Sequence, residues 1–123
     1  LVAKIRATPK LDALWQSVLF IEQPVERVAT MKHAIDQTLR AAIDKPLIID
    51  ESDGWTTAFS EAMELGYRGV SHKNCKGVFR SFLNNALAAS RNKTAGKGHY
   101  FLSADTRSAA PRPSGRIENA VYL

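Results

Sequence analysis

Two carboxylates and an amine stand at the ends of short apolar runs. Glu22 closes Leu19-Phe20-Ile21, Asp50 closes Leu47-Ile48-Ile49, and Lys73 closes Gly69-Val70-Ser71-His72. A carboxylate ending an apolar strand is costly to bury unless a cation or hydrogen bonds compensate its charge. Oxygen donors of this kind suit a hard divalent ion such as Mg²⁺, and they serve equally as partners of a neighbouring Lys or Arg at the same rim. A lysine beside a metal or a second positive charge, here Lys76, is expected to lose its proton more readily, as a base working near neutral pH must. The plainer reading of Lys73, a surface lysine paired with Asp50 or Glu51, stays open beside it. His72 and His99 read as packing or hydrogen-bonding residues and His33 as an exposed helical one. No metal-ligand spacing links the three histidines, which argues against zinc.

Glu22 and Asp50 are 28 positions apart, and Asp50 and Lys73 are 23 apart. Each interval holds one crossover helix with its turns, so the three ends should lie side by side on neighbouring parallel strands. Thr8-Pro9 predicts a capped helix over 10–17 with Leu11, Leu14 and Trp15 on one side. A strand over 18–22 stops at Pro24. Val28, Met31, Ile35, Leu39 and Ala42 then mark one face of a first crossover helix over 25–43. A strand over 47–50 leads into a cap at Ser52-Asp53-Gly54 and a second helix carrying Ala58, Ala62 and Leu65, ended by Gly66. After the strand 69–73, Gly77 opens a third helix through Asn92 with Val78, Phe82, Ala86 and Ala89 inward. A last strand begins at His99 and ends at Ser103 or Asp105. The alternation is that of a parallel α/β fold. No Gly-x-Gly-x-x-Gly or Walker-type loop follows any strand, which disfavours a mononucleotide site.

The chain has 123 residues, whereas a closed eight-unit barrel takes roughly 250. The expected fold is therefore a partial TIM-type (β/α) barrel of about half the units over residues 1–105, with an irregular tail over 106–123. A hydrophobic content of 45% with 24% charged residues excludes an intrinsically disordered chain. Of the net charge of +5, most falls from Arg91 onward, where six Lys/Arg face only Asp105 and Glu118. Without interleaved aromatics or a nucleic-acid motif, this is read as solvated charge rather than a nucleic-acid or lipid surface. Cys75 is the single cysteine, which excludes an internal disulfide and favours a reducing, cytoplasmic location. No run approaches a membrane span.

At these residues a family resemblance enters. Phe20-Ile21-Glu22-Gln23-Pro24, Ile49-Asp50-Glu51-Ser52 and Ser71-His72-Lys73-Asn74-Cys75-Lys76-Gly77 resemble three consecutive strand-end motifs of the enolase superfamily, in its mandelate racemase/muconate lactonizing branch. The resemblance covers about residues 8–105. It implies Mg²⁺ as cofactor, Glu22 and Asp50 as two of its ligands, and Glu51 supporting them. It further implies Lys73 as the acid/base group tuned by Lys76, with Asn74 and Ser103 on the substrate side. The implied reaction removes the proton α to the carboxylate of a small substrate while the metal neutralises the enediolate; racemisation or epimerisation, cycloisomerisation or dehydration follows. The family's first metal ligand and its Lys-x-Lys motif would lie upstream of Leu1, and the tail matches no late strand. The chain is thus expected to be a partial or frameshifted gene product, a poor enzyme by itself, and prone to homo-oligomerise through open sheet edges. A Schiff-base aldolase using Lys73 and a catalytically silent interaction module are the competing readings.

Overall fold

The computed structural model describes residues 2–35, 43–73 and 76–104. Two short helices, α1 (Val2–Arg6) and α2 (Asp12–Ser17), precede strand β1 (Ile21–Glu22) and a single-turn helix α3 (Arg27–Thr30). Strand β2 (Leu47–Ile49), helix α4 (Ala58–Leu65), strand β3 (Gly69–His72), helix α5 (Val78–Ala95) and strand β4 (Phe101–Ala104) follow. The strands form one four-stranded sheet in the order β1-β2-β3-β4, every neighbouring pair parallel. A doubly wound sheet reverses its strand order partway. This sheet runs in sequence order throughout, so right-handed crossovers carry its helices over one face.

The register assigns each strand residue to a face. Glu22, Ile48, Gly69 and Phe101 are cross-strand partners in one row, and Ile49, Val70 and Leu102 form the next. Side chains alternate along a strand, so the second row points to the helices. There Ile21, Leu47, Ile49 and Val70 pack with Phe59, Ala62, Met63, Tyr67 and Ala88 into the main core. The first row points to the other face. On that face the rings of Phe20 and Phe101, from opposite edges of the sheet, approach to 5.9 Å between centroids. In a flat sheet those edge strands would stand about 14 Å apart with parallel side chains. The sheet is therefore curled, concave on the face that carries no helix among the described residues.

Local chemistry accounts for the boundaries. Helix α4 ends in a Schellman turn: Gly66 takes φ 104°, its N–H donates to Met63 O at 3.0 Å, and the Tyr67 N–H donates to Ala62 O at 2.9 Å. The turn delivers the Tyr67 ring into the core, where it is fully buried. Gly69 is required for space. A Cβ there would lie 2.7 Å from Ile48 Cγ2 and 2.9 Å from the Phe101 carbonyl oxygen.

Several expectations are corrected. Thr8 does not cap a helix: its hydroxyl donates to Lys4 O, and residues 9–11 form a 3-10 turn before α2. Of Leu11, Leu14 and Trp15 only Trp15 is buried, its indole N–H donating to Asp44 Oδ1 at 3.0 Å. Among its described residues the first crossover is helical at Arg27–Thr30 and turns at 31–33; residues 36–42, with Leu39 and Ala42, lie outside the described residues. Helix α4 starts at Ala58, and no side chain of the Ser52-Asp53-Gly54 segment caps it. Helix α5 is present but rotated. Its buried positions are Asn84 and Ala88, whereas Phe79 is 91% and Phe82 69% exposed and Val78, Leu83, Ala86 and Ala89 also face outward. The tail reading over 106–123 lies outside the described residues, and among those described no helix is long and apolar enough to cross a membrane.

Two stability predictions follow from these contacts. Gly69→Ala should lower the unfolding free energy by about 1–3 kcal/mol in urea titrations, because a main-chain oxygen cannot step aside as a side chain does. Phe79→Ser and Phe82→Ser should each stay within about 0.5 kcal/mol of wild type. Ala88→Asp, which buries an unpaired charge, should abolish the cooperative transition. A large loss with the phenylalanine variants would restore the inward assignment of that face.

Candidate functional site

The concave face carries the polar groups. Period-two alternation continues the Ile48 row to Asp50, the Gly69 row to Ser71 and Lys73, and the Phe101 row to Ser103, so Glu22, Asp50, Ser71, Lys73 and Ser103 share one side at the C-terminal rim. Ser71 and Ser103 are direct cross-strand partners.

Asp50 is the hub. It is buried, and its carboxylate lies between two lysines: Lys73 Nζ donates to Oδ2, and Lys76 Nζ donates to Oδ1 at 2.5 Å. Lys76 also donates to Asp50 O at 2.6 Å and Ser71 O at 3.3 Å, which makes it a tether with a side chain only 17% exposed. Lys73 is 43% exposed and reaches within 4.0 Å of Glu22 Oε1. That Glu22 oxygen is buried and accepts no hydrogen bond.

The electrostatics follow from this packing. Burial pushes the Glu22 carboxyl above the ordinary carboxylate range; the Ser71 hydroxyl works against it and the neighbouring Asp50 adds to it. Burial also pushes Asp50 up, but the hydrogen bonds from Lys73 and Lys76 together outweigh it and hold Asp50 below its usual value. Lys73 is raised, chiefly by its hydrogen bond to Asp50. The expectation of a lysine whose proton is loosened by Lys76 is thus corrected. Asp50 stands between the two ammonium groups, and attraction to the carboxylate exceeds repulsion across it. Glu51 is exposed and acts on Lys73 only through its charge, the weakest of the influences named for that lysine. Asn74 lies outside the described residues.

The two carboxylates fit a small hard cation in part. Glu22 Oε1, which accepts no hydrogen bond and has Lys73 Nζ at 4.0 Å, is an acceptor that such an ion would satisfy, and Mg²⁺ needs only one or two carboxylates when water completes its shell. Among the described residues no third His, Cys, Asp or Glu joins these two acids.

Residues with roles that strand-end reading passed over complete the site. Ser71, two before Lys73, lies on the side of β3 that strand alternation assigns to both. Gln23, whose side chain bridges the β1 and β2 ends, has no signal beyond being polar before a proline. Behind β3, on the helix side, His72 Nδ1 pairs with the Ser81 hydroxyl, and Arg80 Nη1 donates to Asp53 O at 2.7 Å. The cavity there, about 10 Å³, is the space of one water and no substrate site. No protein-family model matches the chain, and no curated protein matches it. The family resemblance therefore rests on the strand-end residues themselves.

Removing the hub should be costly. Asp50→Asn leaves Lys76 without a carboxylate and Lys73 with only Glu22 at 4.0 Å, and should destabilise the fold by about 3 kcal/mol in a urea titration. The raised Lys73 binds its proton more tightly folded than unfolded. Its contribution to stability is thus complete below pH 10.5 and lost as pH climbs through the raised value. Lys73→Met should flatten that alkaline loss, leaving the part due to the buried Tyr67, whose hydroxyl is also raised by burial. An alkaline limb identical in the variant would contradict the Lys73–Asp50 assignment.

Proposed function

We propose that this chain carries the middle of an enolase-type active site, in which acids on successive strand ends hold Mg²⁺ and Lys73 moves the proton α to a substrate carboxylate. The observation supporting it most directly is the convergence of Glu22, Asp50 and Lys73 on one concave rim, with the buried Glu22 Oε1 unsatisfied. The parallel, sequence-ordered and curled sheet agrees with an arc of a (β/α) barrel, the architecture the reading requires. The ion, when bound, supplies positive charge where the enediolate oxygens develop.

The chain's own groups have distinct tasks. Glu22 and Asp50 would each offer an oxygen to the ion. Lys76, fixed by three acceptors, keeps the loop after β3 against Asp50. Lys73, the more exposed lysine, is charged while Asp50 holds it and can then deliver a proton from Nζ; once Asp50 is engaged elsewhere, the main cause of its raised affinity is gone and it can accept one. Ser71 and Ser103 line the same face and orient substrate or carboxylate through their hydroxyls. The substrate is a small carboxylate; nucleic acid and membrane are not partners in this reading. The single cysteine fits a cytoplasmic setting.

A Schiff-base aldolase is the weaker reading, because it leaves the buried Glu22 Oε1, which accepts no hydrogen bond, without a task. An interaction module finds support in the outward apolar side of α5.

With two protein carboxylates, ion binding by the isolated chain should be weak, in the millimolar range, and the edges of β1 and β4, which pair with no further strand among the described residues, should favour self-association. Mn²⁺ titration followed by electron paramagnetic resonance should show that weak binding, lost in both Glu22→Gln and Asp50→Asn. Affinity unchanged in both variants would overturn the site assignment. A monomer at all concentrations in sedimentation would overturn the association.

A further inference from the structure

Gln23 follows Glu22 and is the one non-glycine residue with positive φ, 43°, among the described residues. It also precedes Pro24, a position biased toward extended backbone. A non-glycine residue is held in the left-handed region only where its surroundings over-determine it.

Those surroundings are hydrogen bonds made by its side chain. With Glu22 paired to Ile48, the Gln23 N–H donates to Ile48 O at 2.9 Å, as a parallel ladder prescribes. The next rung of that ladder would run from the Asp50 N–H to the main-chain carbonyl of Gln23. Instead, the Asp50 N–H donates to the side-chain oxygen Oε1 of Gln23 at 2.9 Å, and the Ser52 N–H approaches the same oxygen at 3.4 Å. The backbone has turned away, and the carboxamide stands in for it. At the other end, Nε2 donates toward Val25 O at 2.8 Å, Thr30 Oγ1 at 2.7 Å and Ser52 Oγ at 2.9 Å. Thr30, Asp50 and Ser52 are all buried. A carboxamide of this length offers one acceptor oxygen to two main-chain N–H groups and two N–H donors, one of them shared, to three surrounding oxygens.

We infer that Gln23 is a positioning residue whose carboxamide, by replacing its own main-chain carbonyl in the β1–β2 ladder, sets the placement of the Glu22 and Asp50 carboxylates relative to each other. Glu22 becomes the last residue of β1 because the chain leaves the ladder at Gln23. Asp50 is pinned by its amide to that same side chain. One residue thus anchors both acids without touching whatever they hold. The consequence for cation affinity rests on the function proposed above, whereas the positioning itself does not.

The test uses the full chain and two variants of similar side-chain length. In Gln23→Met, which fills the space without hydrogen bonds, the Asp50 and Ser52 amides should exchange with D₂O at least about tenfold faster by NMR, and the Glu22 and Asp50 carboxyl carbon signals should both move. Mn²⁺ affinity should fall about tenfold, the lower end of the loss seen when groups that orient metal ligands are removed. Gln23→Glu keeps the acceptor and should restore Asp50 amide protection, so the inference stays testable if Gln23→Met does not fold. Wild-type exchange and carboxyl signals in Gln23→Met, or an unprotected Asp50 amide in Gln23→Glu, would overturn it. If wild type binds no Mn²⁺, the cation reading fails, while the amide and carboxyl data still decide the role of Gln23.

Discussion

The register of the parallel sheet is the constraint from which the other features descend. One set of cross-strand pairs places Glu22, Ile48, Gly69 and Phe101 on the concave face and Ile49, Val70 and Leu102 against the helices. Because alternation has a period of two, a slip of one residue in β2 or β3 would exchange core and site together. The contacts around Gly69 hold that register from inside: Ile48 and Phe101 fill the space that a side chain at 69 would need. The hydrophobic packing and the polar rim are thus consequences of the same hydrogen-bond ladder.

Two acids and two amines meet at the rim, and their balance explains why the arrangement is tolerated. An isolated buried carboxylate would be expensive, yet Asp50 is satisfied on both oxygens and Glu22 is relieved by a rising affinity for a proton. The lysines already occupy both Asp50 oxygens, so in the proposed function an ion would have to compete with them for that carboxylate. Under the proposed function, that competition would set when Lys73 holds its proton and when it releases it. Lys76, enclosed by three acceptors, has no such freedom.

How far the chain could be read without its tertiary structure varies by element. Strands β2, β3 and β4 were legible because short apolar runs bounded by Pro46, Gly69 and Gly98 have few alternatives. The end of α4 was legible from Gly66, since a left-handed C-terminal residue is a local requirement. The orientation of α5 was not. Apolar residues recur along Val78, Phe79, Phe82, Leu83, Ala86, Leu87 and Ala88 over more than half the helix surface, so periodicity allows two faces, and the one chosen by packing carries Asn84 and Ala88. The first crossover departs from its expected helix within the described residues for another reason. Its apolar spacing is regular, but the described backbone leaves the helix after Thr30, whose hydroxyl turns back to Val25 O and Glu26 O, and residues 31–33 turn.

The amino-acid order by itself determined that Glu22, Asp50 and Lys73 end apolar strands at intervals wide enough for crossovers, which suffices to bring them to one rim. It also determined the α/β alternation, because periodicity and turn residues act over a few positions. Tertiary structure alone decided that Lys73 is held charged, that Lys76 is a tether, and that the Gln23 carboxamide joins two strand ends. Each of these depends on distances between groups more than twenty positions apart in the chain. A proton affinity or a hydrogen bond is set by what lies within a few ångströms, and only the folded sheet brings those partners that close.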